Sequence, residues 1–192
     1  YICEMFSRFV PASAFKRPKD LAGVLLMASR FGKVQLQLQK GVAGAPPEVL
    51  MRQRETAMHP GVAKAGAIIL MQGLVHHWDP RAPFNRTEAA CVGATGIREA
   101  AKFLRGVFRG AGSYANIAAY HEPSWQDNFW GDNYPRLLAV KRRVDPHGLF
   151  HCHHCVGSED WSEDGMCRVP PVRERMRATV GMKSAAANAR PA

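Results

Sequence analysis

The sequence predicts an α+β fold, in which strands and helices are mixed without regular alternation. Two segments predict strands: residues 33–41 alternate apolar and amide side chains, and residues 65–78 form an apolar run of strand length. Residues 87–108 and 134–144 instead have the apolar spacing of helices. Repeated strand–helix–strand units would alternate regularly, and this order does not, so the α+β class is favoured.

The first part of the chain is predicted to be an extended or irregular segment followed by a helix. Residues 1–17 are interrupted at Pro11 and bounded by Pro18. Asp20 can cap the following helix, and Gly32 can end it. The apolar face of that helix would consist of Leu21, Val24, Leu25 and Ala28.

The first predicted strand has one apolar face and one face of glutamines. Val34, Leu36 and Leu38 alternate with Gln35, Gln37 and Gln39. The glutamines could line a wet binding site, or they could form the solvent side of a sheet. The solvent side is favoured because antiparallel sheets commonly expose one face.

The middle of the chain alternates loops with short elements. Residues 41–61 are predicted to be a loop with a short helical piece, and residues 79–86 are a second loop between the apolar strand and the next helix. Thr87 can cap that helix, and Gly106 or Gly110 can stop it.

A final helix and a tail complete the prediction. Pro135 lies in the first turn of the helix at residues 134–144, whose apolar stripe is Leu137, Val140 and Val144. From about Val169 onward, prolines, small residues and basic charge predict a flexible tail.

Composition and charge exclude several classes of protein. The 192 residues carry a formal charge of +10, but the basic residues are spread out apart from one triplet and the tail, which disfavours nucleic-acid binding. The sequence contains no run of 18 apolar residues, so it predicts no membrane-spanning helix. The chain begins at Tyr1, with no initiator methionine or apolar signal region, as expected for a processed or truncated piece.

Histidine and cysteine residues suggest metal or redox chemistry only weakly. Cys152 and Cys155 enclose His153 and His154, so the histidines cannot easily complete the same zinc tetrahedron. A redox dithiol would need a helix N-terminus to activate it, and this pair follows a helix and a turn. His76-His77 would point to opposite faces of a strand. We expect no metal site and treat the cysteines as incidental.

Other catalytic motifs are missing from the sequence, and one aromatic turn remains. There is no Gly-x-Ser-x-Gly nucleophile elbow and no glycine-rich phosphate loop. Residues 113–150 are rich in aromatic rings, which could simply pin a helix to a core. Tyr114-Ala115-Asn116, however, follows a Gly-Ser turn, where a phenol and an amide could be held near a ligand.

The segment from Gly112 to Trp161 resembles the C-terminal segment of the berberine bridge enzyme-like flavoproteins, especially the fungal oxidases. It has the Tyr-x-Asn turn, the acidic-Pro and Trp segment, the aromatic-Gly, the Tyr-x-Arg-Leu helix, the Asp-Pro and the terminal Phe. These stand here as Tyr114-Ala115-Asn116, Glu122-Pro123 with Trp125, Trp130-Gly131, Tyr134-Pro135-Arg136-Leu137, Asp145-Pro146 and Phe150. Weaker similarity reaches back nearly to the start of the chain.

The resemblance implies an FAD-linked oxidoreductase. It implies that residues 1–112 are part of a substrate domain, an antiparallel sheet flanked by helices. It implies that residues 113–168 are a C-terminal segment returning to the flavin domain and packed there by its rings, and that residues 169–192 are a tail. The N-terminal FAD-binding domain of such proteins is not represented in this sequence.

The resemblance also assigns roles to three residues. Tyr114 matches the tyrosine that deprotonates a substrate hydroxyl, although a phenol with the ordinary pKa of about 10 is a base only when its neighbours lower that value. Asn116 matches an asparagine near the flavin, and Gln72 matches a further catalytic position on a strand. The substrate would be a small alcohol, sugar or secondary metabolite, with no nucleic-acid or membrane partner.

Two alternatives stay open at this point. The chain could be a basic, non-catalytic binding module, with or without zinc, or an inactive truncated remnant of the enzyme. The resemblance implies secretion, which the glycosylation acceptor pattern at Asn85-Arg86-Thr87 weakly favours.

Overall fold

The structure is a computed structural model that describes residues 2–39, 45–74 and 94–169. The chain divides into two compact units, Tyr1–Pro135 and Arg136–Ala192. Within the described ranges, no helix combines the length and the apolar character that a membrane crossing requires. Thr87, the histidine pair at 76–77, the glycosylation pattern and nearly all of the predicted tail lie outside the described residues.

The first unit contains a three-stranded antiparallel sheet, which confirms the α+β class. Its strands are β1 (Ile2–Pro11), β2 (Val34–Leu38) and β3 (Ala65–Leu74), in the spatial order β1-β3-β2. The central strand β3 is the predicted apolar run. The segment predicted to be extended or irregular forms the long edge strand β1.

The α-helices of the described residues are α1 (Pro18–Ser29), α2 (Pro47–Arg54), α3 (Ala94–Val107), α4 (Trp125–Trp130) and α5 (Tyr134–Val144). Short 3-10 helices lie at Ala12–Lys16, Pro60–Lys64, Gly131–Asn133 and Ser158–Asp160. The most buried helix is α3, because every third or fourth residue along it is apolar: Ala94, Ile97, Ala100, Ala101 and Leu104 are buried.

The strand register separates the sheet into two faces. One face is covered by helices, and it carries Phe6, Val10, Ala67, Ile69 and Met71, which pack with the buried side of α3. The opposite face carries Gln72 and Leu70 on β3 and Gln35 and Gln37 on β2. We call it the glutamine face. Gln35 and Gln37 are exposed, so the predicted apolar–amide alternation of β2 is confirmed.

One helix prediction differs from the structure. Asp20 does not cap α1: the helix begins at Pro18 after Arg17, and Asp20 lies in the first turn, 3.6 Å from the Arg17 guanidinium. Proline is well placed at a helix start because it has no N–H to satisfy. The helix predicted at residues 134–144 is confirmed as α5, and Val140 and Val144 of its apolar stripe are exposed.

The second unit is held together by polar contacts around the end of α5. The Asp145 carboxylate accepts hydrogen bonds from the Leu149 and Phe150 backbone N–H groups and pairs with Lys141 at 2.5 Å. The hydrogen bond from Lys141, with those from Phe150 and Leu149, lowers the pKa of Asp145 to about 2. This explains the role of the Asp-Pro motif, which ends the helix and turns the chain.

The cysteines of the second unit differ from the sequence expectation. Cys152 and Cys155, which we treated as incidental, form a disulfide, and Cys167 is a free, exposed thiol. The two bonded sulfurs are therefore not available as zinc ligands. Among the described residues, no three side chains of the histidine, cysteine, aspartate and glutamate types lie close enough to hold a metal ion.

Candidate active site at the sheet edge

The Tyr114–Asn116 turn brings two of the predicted site residues into direct contact. The Asn116 side-chain N–H donates to the Tyr114 phenol oxygen at 2.9 Å. Tyr114 is 43% exposed, and Ala115 and Asn116 are also exposed, whereas Ala111, Gly112 and Ser113 just before them are buried. The turn thus presents a phenol and an amide on a segment whose base is fixed in the core.

The base of this turn runs along the free edge of β1. The Phe9 backbone N–H donates to the Gly112 carbonyl at 3.1 Å. The buried hydroxyl of Ser7 accepts a hydrogen bond from the Tyr114 N–H at 2.9 Å and donates to the Tyr114 carbonyl at 3.2 Å. An edge strand has unpaired backbone groups, and here they position the turn.

A buried arginine supports the same region from the neighbouring position on β1. Arg8 is 2% exposed, and its guanidinium donates twice to the Phe108 carbonyl, at 3.1 and 2.8 Å. It also donates to the Asn128 side-chain oxygen at 2.7 Å. Burial lowers the pKa of Arg8 below its ordinary value, and the charge of Glu122 opposes that shift.

Glu122 supplies the counter-charge. Its carboxylate is buried and accepts two hydrogen bonds from Arg105, at 2.9 and 2.5 Å, the fork geometry that favours arginine–carboxylate pairs. The Asn128 side-chain N–H donates to the same carboxylate at 2.9 Å. One polar network therefore links β1, the end of α3, α4 and the segment that follows Tyr114.

A histidine ring fills the space between two glycines of the site. His59 is buried, and a side chain at Gly112 would come within 2.4 Å of its ring, while one at Gly131 would come within 3.0 Å. Both glycines have positive φ, 83° and 53°, a conformation that glycine adopts without strain. The ring accepts a hydrogen bond from the Gly61 N–H at its Nδ1 atom, at 2.8 Å.

We expect His59 to make the stability of this region dependent on pH. Burial lowers its pKa below 6.5, although the charges of Asp127 and Asp132 oppose the shift. The unfolded chain therefore binds a proton more readily than the fold, so the free energy of unfolding falls as the pH drops through 6.5 toward the folded pKa. Thermal unfolding of wild type at about pH 7 and about pH 5 measures this loss.

Two glutamine variants test that assignment. His59→Gln should flatten the dependence on pH, whereas His147→Gln, at an exposed position of the second unit, should leave it unchanged. Equal slopes for wild type and His59→Gln would contradict the assignment.

Gln72, the third predicted site residue, lies on the glutamine face of β3 and is partly buried. It pairs in register with Met5, two residues from Ser7 along β1, and Ser7 holds the Tyr114 backbone. Two residues of a strand span about 7 Å. Gln72 therefore lies about 7 Å along the strand direction from the Ser7–Leu70 pair, on the same face of the sheet.

Sequence reasoning missed the supporting residues of the site. Ser7, Arg8 and His59 gave no local signal, because each acts on residues far along the chain. Glu122 had a signal, since it belongs to the acidic-Pro motif of the resemblance, but its role as a buried counter-charge depends on Arg105 and Arg8.

The fold matches that of VAO-type flavoproteins. Two solved structures of such proteins from Myceliophthora thermophila cover 88% of this chain: MtVAO615, at 28% identity and a TM-score of 0.63, and MtVAO713, at 21% identity and a TM-score of 0.64. The chain covers 30% and 29% of them respectively, and the likeness to MtVAO713 concerns the fold alone.

The sequence comparisons are more specific. Residues 113–157 match the family model "Berberine and berberine like". An uncharacterized FAD-linked oxidoreductase of Arthroderma benhamiae is 32% identical over 81% of this chain, which covers 30% of that relative. The FAD-linked oxidoreductase notD' of Aspergillus versicolor is 50% identical over 34% of this chain and 12% of its own length.

The resemblance to berberine bridge enzyme-like proteins is therefore confirmed, and it is most specific in the segment that contains the Tyr114 turn. The chain spans less than a third of the relatives described above.

Proposed function

We propose that this chain is the substrate-side portion of an FAD-dependent oxidoreductase that oxidises an alcohol, a sugar or a secondary metabolite. The observation that carries the proposal is the hydrogen bond between Asn116 and the Tyr114 phenol, on a turn anchored to the sheet edge. This turn lies within the segment that matches the berberine-like family model. The sequence relatives described above are named FAD-linked oxidoreductases, and the solved structures are named flavoproteins.

The residues at the turn fit a flavin ring. FAD, when bound, supplies an oxidised ring that accepts hydride from carbon. That ring is flat and neutral, with carbonyl and nitrogen atoms at its edges, and the exposed amide of Asn116 offers both a donor and an acceptor to such an edge. The resemblance implies a separate N-terminal domain that binds most of the FAD, and this proposal assigns the FAD phosphates to that domain.

In this proposal, Tyr114 accepts the proton that the substrate hydroxyl loses. Oxidation of an alcohol removes a hydride from carbon and a proton from the hydroxyl. The phenol oxygen of Tyr114 accepts that proton in this proposal, and the Asn116 N–H, which donates to the same oxygen, stabilises negative charge on it. Exposure of the phenol leaves it accessible to a donor.

Gln72 orients the donor in this proposal. It lies on the glutamine face, on the side of the sheet that Ser7 and the anchored turn share, and its amide can bind a hydroxyl as donor or acceptor. Gln35 and Gln37 of β2 lie on the same face and are exposed, which is compatible with a polar lining for a hydroxylated donor. Secretion of the protein is a further part of the proposal and rests on the resemblance.

The test uses the protein expressed from its complete gene. We expect visible flavin absorbance in the purified protein, and bleaching of that absorbance when benzyl alcohol, glucose or an aliphatic primary alcohol is added without oxygen. A preparation that carries no flavin after FAD is supplied, or a bound flavin that none of these donors bleaches, would contradict the proposal.

A further inference from the structure

Tyr114 is a loop residue, and one side chain fixes its backbone. Residues 111–114 have no helix or strand of their own. Among the described residues, Ser7 is the only one whose side chain hydrogen-bonds to the backbone of Tyr114. It accepts from the Tyr114 N–H and donates to the Tyr114 carbonyl. The two residues are 107 positions apart in the chain, so this contact exists only in the folded protein.

Other groups hold the residues on either side of Tyr114. Gly112 is paired with the Phe9 backbone at 3.1 Å, and the Ser113 N–H donates to the Asn128 carbonyl at 2.7 Å. The Ile117 N–H closes the turn by donating to the Tyr114 carbonyl at 2.9 Å. Removal of the Ser7 hydroxyl would therefore leave the neighbouring segment in place, while the Tyr114 N–H would lose its partner and the Tyr114 carbonyl would keep only the bond from Ile117.

The location of Ser7 makes this contact rigid. Ser7 is 0% exposed and lies on β1 opposite Leu70 of the central strand. Because the hydroxyl is buried away from water, loss of its bonds to Tyr114 would leave it unsatisfied and would cost free energy. The backbone of Tyr114 is thus held to the sheet that also carries Gln72.

We propose that Ser7 is a positioning residue for Tyr114: its hydroxyl fixes the backbone from which the phenol reaches both Asn116 and the donor. This inference rests on the proposed function. A displacement of about 1 Å at a reacting group lowers rates by up to two orders of magnitude. Loss of the Ser7 hydroxyl should therefore slow the reaction without removing the phenol.

The test compares two buried serines in the flavin-loaded protein from the complete gene. Ser7→Ala should lower the limiting rate of flavin reduction about tenfold or more, measured with the fastest of benzyl alcohol, glucose and an aliphatic primary alcohol. Ser113→Ala is the matched control: that serine is also buried, accepts a long 3.5 Å bond from Arg8, and makes no side-chain bond to Tyr114. Its rate should stay within about twofold of wild type.

A double variant separates positioning from general loss of structure. In a Tyr114→Phe background, Ser7→Ala should cause no further slowing, because two residues that act as a unit are not additive. Equal slowing by Ser7→Ala and Ser113→Ala, or multiplied effects in the double variant, would overturn the inference. If Tyr114→Phe has no effect, or no donor reduces the flavin, the proposed function fails first and the inference with it.

Hydrogen exchange of the wild-type protein tests the contact between Ser7 and Tyr114 without any substitution. The Tyr114 amide hydrogen should exchange with solvent much more slowly than those of Ala115 and Asn116, since Ser7 accepts its bond in a buried position. Exchange of the Tyr114 amide as fast as that of Ala115 would contradict the contact itself and overturn the inference.

Discussion

Replacement of Tyr114 by phenylalanine is expected to slow substrate-driven reduction of the flavin by about two orders of magnitude or more, the range of general acid–base catalysis. The phenol oxygen is the group that takes the proton, and phenylalanine keeps the ring but removes that oxygen. Its loss also leaves the Asn116 N–H without the partner it has at 2.9 Å. The measurement is the limiting rate of flavin reduction after anaerobic mixing with the donor.

Tyr120→Phe is the matched control. Tyr120 is an exposed tyrosine six positions further along the same segment, and its ring packs edge-to-face with His121. We expect a reduction rate close to wild type for this variant. Equal rates for Tyr114→Phe and wild type would remove the proton-transfer role from Tyr114.

Replacement of Glu122 by alanine should lower the free energy of unfolding by about 3 kcal/mol, the lower end of the range for breaking a buried ion pair. The change removes two hydrogen bonds to Arg105 and one to Asn128. It also removes the charge that opposes the effect of burial on Arg8. The Arg105 side chain is 21% exposed, so water can replace part of the hydrogen bonding that Arg105 loses with Glu122. Urea unfolding measures the difference.

Glu99→Ala provides the comparison for that prediction. Glu99 lies on α3, the helix that carries Arg105, but it is exposed. Its replacement should change the free energy of unfolding by less than about 0.5 kcal/mol, as surface substitutions usually do. A loss at Glu122→Ala no larger than at Glu99→Ala would show that the buried network contributes little to stability.

Local patterns in the sequence were sufficient for most of the fold. The alternation in β2 and the apolar run of β3 predicted strands because side-chain periodicity follows directly from backbone geometry. The start of α1 was predicted at the wrong residue, since both Pro18 and Asp20 carry start signals and only the structure decides between them. The helix α5 was predicted at its observed bounds, but apolar periodicity does not say whether a surface covers the stripe, and Val144 is 71% exposed.

Some residues of the candidate site also carry a local sequence signal, and others do not. Tyr114 and Asn116 were predicted as site residues because they are two positions apart on a turn and belong to a recognisable motif; the structure places their side chains in contact, and their roles stay predictions. Ser7 and Arg8 could not be predicted, because their roles depend on contacts with residues about a hundred positions later, at Tyr114 and Phe108. Such contacts follow from how β1 lies beside the turn, which neither spacing nor composition encodes.

The most direct measurement of the central claim is a crystal structure of the flavin-loaded protein expressed from its complete gene. We expect the phenol of Tyr114 and the amide of Asn116 to lie against the flavin ring, with Gln72 on the same side. A flavin bound away from the Tyr114 turn and the glutamine face would contradict it.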